Sequence, residues 1–78
     1  MTPKELRAFL KAEPFRPFDI RLNDGRALPV PHSDFASLSP DEWQLVVWHQ
    51  GGFDFVDVGS ITSLHFPRRN GANKRKGA

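Results

Sequence analysis

Three histidines, His32, His49 and His65, are the side chains of this sequence best suited to proton transfer or metal binding near neutral pH. They stand far apart, and none has a second ligand at zinc-type spacing. Cysteine is absent, which removes thiolate nucleophiles, Cys-based zinc sites and disulfides together. His49 has one candidate partner. A hairpin turning at Gly51-Gly52 sets it opposite Asp54, and an imidazole beside a carboxylate is one form a general base can take. On a sheet surface the same pair is ordinarily a cross-strand stabiliser, contributing about 0.2–1 kcal/mol. The serines lack a nucleophile-elbow pattern, no glycine-rich phosphate loop occurs, and the carboxylates do not cluster. The residues therefore assign no catalytic group, no metal site and no cofactor, and the expectation is a protein that is not an enzyme.

A second group of residues could bind and not react. In the Gly51-Gly52 hairpin, Val47 faces Val56 and Leu45 faces Val58 on one side. On the other side Trp48 faces Phe55, Gln50 faces Phe53 and Val46 faces Asp57. Both faces are then apolar, and a small domain has an interior for only one of them. Trp48, Phe53 and Phe55 form the candidate binding surface. Three covers are open to it: the apolar stripe of an N-terminal helix, a second copy or protein partner, or the bases of a single-stranded nucleic acid stacked on the rings. Against the last, stacking platforms work beside a positive groove, whereas Asp54 and Asp57 flank these rings.

Charge divides the chain in two. Residues 1–66 hold six Lys/Arg against nine acids, a net −3, while residues 67–78 hold Arg68, Arg69, Lys74, Arg75 and Lys76 with no acid, a net +5. The high isoelectric point belongs to that basic tail, which is expected to be disordered and could bind RNA or DNA weakly without sequence preference. A solubilising tail explains the same residues. No apolar run approaches the ~20 residues of a membrane span and no signal-peptide pattern is present, so a cytoplasmic protein of bacterial type with no membrane contact is expected. With 78 residues in all, one domain over 1–66 is the expected organisation.

The elements that would position these residues follow from local pattern. Thr2-Pro3-Lys4-Glu5 reads as a capping box with proline at the first helical position. Leu6, Phe9 and Leu10 make a narrow apolar stripe, and Pro14 stops the helix near Glu13. Pro14-Phe15-Arg16-Pro17-Phe18 is an extended segment whose two rings either plug the gap between helix and sheet or meet a partner that binds proline-rich chains. Next, a three-residue Asn23-Asp24-Gly25 loop with Gly25 left-handed pairs Ile20 with Leu28 and Phe18 with Val30, keeping the apolar set on one face. Pro29 and Pro31 mark the far side of that second strand as an edge. Ser39-Pro40-Asp41-Glu42 reads as a type I turn, with a strand expected over residues 35–38 before it. Gly59-Ser60-Ile61 turns the chain into a last strand over residues 62–66.

The expected fold class is mainly β with one N-terminal α-helix, arranged as a small, strongly bent antiparallel sheet or an open barrel. Its element order resembles SH3-like and Sm-like barrels, without a residue-by-residue match to the RNA-binding loops of the Sm-like family. The run Thr2-Pro3, Glu5-Leu6 and Leu10, followed by Pro14-Phe15-Arg16-Pro17-Phe18, Leu22-Asn23-Asp24-Gly25 and Ser39-Pro40-Asp41, resembles a group of short uncharacterised bacterial proteins. That resemblance covers residues 1–66 and implies a compact domain without assigning an activity. Two functional readings remain: a module for self-association or protein binding, and a nucleic-acid-binding small barrel assisted by its basic tail.

Overall fold

Thr2 and Glu5 cap each other at the start of the chain. The Thr2 hydroxyl accepts the Glu5 N–H at 3.2 Å and the Glu5 carboxylate accepts the Thr2 N–H at 3.2 Å, satisfying two of the donors that every helix start leaves free. The structure is a computed structural model that describes residues 2–67. Helix α1 runs Pro3–Leu10, shorter than the expected end near Glu13. Its closing bonds are Lys11 N–H to Arg7 C=O at 3.0 Å and Ala12 N–H to Phe9 C=O at 3.5 Å.

Among the described residues six strands follow: β1 (Phe18–Leu22), β2 (Ala27–Val30), β3 (Ala36–Leu38), β4 (Gln44–His49), β5 (Gly52–Asp57) and β6 (Ile61–His65). They form two three-stranded antiparallel sheets, ordered β2-β1-β6 and β3-β4-β5, which are not closed into a barrel. The bent-sheet form of the expected fold is the one adopted. The chain crosses between sheets at two single-turn 3-10 corners, Ser33–Phe35 and Val58–Ser60. The stretch expected to be strand over residues 35–38 is thus divided, with Phe35 closing the corner through its N–H to His32 C=O at 3.0 Å.

The first hairpin has the register expected from its apolar pattern. Phe18 pairs with Val30 and Ile20 with Leu28, Gly25 carries a φ of 93°, and Leu22 N–H reaches Arg26 C=O at 2.9 Å across the three-residue loop. Strand β2 is an edge, in keeping with Pro29 within it and Pro31 just after it. On the other side of β1, Thr62 is an extra residue between Ile61 and Ser63. Its hydroxyl donates to Arg21 C=O at 3.1 Å, and the bulge bends β6 over the core.

The second hairpin differs from expectation by two residues. Its loop is Gln50-Gly51, with Gly51 at a φ of 86°, and not Gly51-Gly52. Leu45 therefore faces Val56, Val46 faces Phe55, Trp48 faces Phe53, and His49 faces Gly52. This register gives Val46 an aromatic partner in place of Asp57, and Phe53 an aromatic partner in place of Gln50, each such cross-strand pair contributing about 0.2–1 kcal/mol. Because the shift is even, every side chain keeps its expected face.

The inner faces of the two sheets meet in one core. Phe18, Ile20, Leu22, Val30 and Ile61 from one sheet pack with Ala36, Leu45, Val47 and Val56 from the other, joined by Val58 and Leu6. All of these are buried, and no polar or charged residue is buried among the described residues. Val58, expected in a strand, enters the core from the second corner.

Candidate interaction surface

Side chains alternate along a strand, so β4 and β5 send Leu45, Val47 and Val56 inward and Val46, Trp48, Phe53 and Phe55 outward. The outward set stays in water: Trp48 is 46% exposed, Phe53 48% and Phe55 72%. Trp48 and Phe53 are directly paired with ring centroids 5.1 Å apart. Phe53 meets Phe55 edge-on at 5.4 Å and 90°. Edge-to-face contact orders three aromatics into one ridge.

The N-terminal helix does not cover this ridge. Two turns of helix have a single apolar stripe, and the inner core takes its central residue, Leu6, which is fully buried. Leu10 packs against the same core, and Phe9 lies 5.1 Å from Phe66. Arg7 pairs with Glu42 in the turn before β4, so both flanks of α1 are engaged away from the aromatic face. Both rings of the proline-bracketed segment pack with the core. Phe18 is buried, Phe15 stacks on it at 5.7 Å, Phe66 at 5.5 Å, and the Arg16 guanidinium lies over Phe66 at 4.6 Å.

Ser37, Gln44 and Asp57 complete the outer face of β3-β4-β5 by their registers. The one charged member, Asp57, accepts the Gly59 N–H at 3.2 Å and so caps the second corner. Beside Phe55, a shallow hollow of about 400 Å³ is lined by Gln44, Phe55, Val56 and Asp57. Neither the hollow nor the exposure of Trp43 was legible from periodicity alone, since both depend on where the corner turns.

His49 and Asp54 come together on the opposite face at its rim. His49 Nε2 lies 3.2 Å from Asp54 Oδ2, and Arg26 Nη1 lies 3.8 Å from Asp54 Oδ1. Arg26 also bonds Asp24 through Nε at 2.9 Å, so one chain of charges links the tips of both hairpins. The Asp24 carboxyl is held below its ordinary value, first by the Arg26 N–H and also by the Arg26 side chain. In the other turn the Ser39 hydroxyl, followed by the Trp43 N–H, lowers that of Asp41. His32 and His65 are exposed elsewhere, and no cluster of three or more His, Cys, Asp or Glu suited to a metal ion occurs among the described residues.

Arg68, Arg69, Lys74, Arg75 and Lys76, the basic-tail candidates, lie outside the described residues. Among those described, no helix is long and apolar enough to cross a membrane. No protein-family model matches the chain, and neither the curated proteins nor the solved structures contain a match to it.

Proposed function

We propose that this chain is a non-enzymatic cytoplasmic interaction module that docks through the outer face of β3-β4-β5. A single observation carries the reading: Trp48, Phe53 and Phe55 are held as a ridge yet remain 46%, 48% and 72% exposed. Burying apolar surface gains about 25 cal/mol per Å², and a clustered patch of large rings left in water is the usual mark of a docking site. Catalysis through His49 and Asp54 is the weaker reading, because both side chains sit at the open rim of the sheet, at 46% and 32% exposure. The nucleic-acid reading rests on tail cations alone, since the outer face offers no Lys or Arg to a phosphate.

The test is site-specific photo-crosslinking in cells with p-benzoylphenylalanine in place of Phe55 or, as control, in place of Arg21 on the other sheet. A discrete adduct is expected from position 55 and none from position 21. Equal labelling from both positions, or none from either, overturns the reading.

A further inference from the structure

We propose that the occupant of this face is a second copy of the chain, packed about a two-fold axis that crosses the strands at the Val46–Phe55 pair; this rests on the interaction reading above.

The face is complementary to itself. Its ridge, the Trp48–Phe53 pair, stands one step from Phe55 toward the hairpin tip. Its hollow, bounded by Gln44, Phe55 and Asp57, lies one step the other way. Each step is two residues, about 7 Å along a strand. A two-fold axis in the interface plane reverses strand direction, so it lays each ridge over the other copy's hollow and sets Phe55 against the partner's Phe55. Isologous contacts of this kind close at two copies.

Charge and hydrogen bonding agree with that occupant. Among the described residues no Lys or Arg lies on the face, which leaves nothing to attract a phosphate chain or an acidic peptide, and its one acid, Asp57, accepts the Gly59 N–H. A copy of the same face brings one carboxylate, Asp57, at the edge of the apolar patch and no other charge. A buried tryptophan needs an acceptor for its indole N–H, and the two-fold carries Trp48 to the row holding the partner's Gln44 and the partner's Asp57, both with side-chain oxygens. The area sets the strength. Taking about 200 Å² per ring, the three exposures present about 330 Å² per copy, well under the ~800 Å² per partner of tight complexes. The dimer is therefore weak and reversible.

Sedimentation equilibrium of the full chain, from micromolar to sub-millimolar concentration, tests this. A reversible monomer–dimer equilibrium is expected, and added salt does not weaken it, unlike nucleic-acid binding. Phe55→Asp, at a mostly exposed position and with circular dichroism as the check on its fold, should raise the dissociation constant at least about tenfold. Since the chain has no cysteine, Phe55→Cys should form a disulfide-linked dimer on mild oxidation, and Arg21→Cys should not. A monomer at every concentration, a dimer indifferent to Phe55→Asp, or equal crosslinking of the two cysteine variants overturns the proposal. If the chain is strictly monomeric while position 55 still captures a different protein in cells, the second copy alone is refuted and the interaction reading stands.

Discussion

His49 Nε2 stands 3.2 Å from Asp54 Oδ2 although neither residue is the other's backbone partner, His49 pairing with Gly52 and Asp54 with Val47. The contact is a diagonal across the hairpin, made possible because Gly52 has no side chain to stand between the ring and the carboxylate. Arg26 approaches the same carboxylate from the first hairpin at 3.8 Å, so Asp54 is a meeting point of both sheets.

A double-mutant cycle with His49→Ala and Asp54→Ala, read by urea denaturation, should give a coupling of about 0.2–1 kcal/mol. Solvent screening of two part-exposed side chains keeps it small. A coupling above that range would show the pair to be more than a surface contact.

Gly51 and Gly52 should respond differently to substitution. Gly51→Ala forces a side chain into a φ of 86° and should destabilise by about 1–2 kcal/mol. At Gly52 a Cβ would meet His49 Cε1 at 3.4 Å, a contact that a surface ring relieves by turning, so Gly52→Ala should cost less. Thermal melts of the two variants measure the order. Equal costs would favour the Gly51-Gly52 turn.

Leu6→Ala should remove about 2–5 kcal/mol, because its side chain is fully buried where the helix meets both sheets. Phe9→Ala, at a part-exposed ring against Phe66, should lose clearly less. Urea midpoints at constant slope give the comparison.

Acid should destabilise the fold partly through its turns. Asp24 and Asp41 both have carboxyls held below the ordinary value of 3.8, the first chiefly by the Arg26 N–H and the second chiefly by the Ser39 hydroxyl. The folded chain therefore binds fewer protons at these groups than the unfolded chain does. Their contribution is present above the ordinary value and is lost as pH falls through the lowered ones. Asp24→Asn and Asp41→Asn should each flatten the fall in melting temperature between about pH 5 and about pH 2.

Any affinity for single-stranded oligonucleotide at low salt should vanish with deletion of residues 68–78 and survive Phe55→Ala. The opposite result, binding lost with Phe55 and kept without the tail, would move the aromatic ridge to the nucleic-acid reading. Fluorescence anisotropy of a labelled oligonucleotide distinguishes the two.

Local pattern was enough for much of this molecule. The Thr2–Glu5 cap, the three-residue turn at Gly25, the edge character of β2 and the division of β4–β5 side chains between two faces all arise from contacts a few residues apart or from the period of two along a strand. The same pattern could not separate two hairpin registers that differ by an even step, since both place every side chain on the same face. That choice went to direct pairing of Trp48 with Phe53 and Val46 with Phe55, which is an energetic preference between partners and not a periodicity. Where the helix lands was also decided only in three dimensions. Leu6, Phe9 and Leu10 are apolar whichever sheet face they meet, and it is the inner core that takes Leu6. The aromatic ridge was left open by that outcome, so its residues could be read from the chain while its exposure could not.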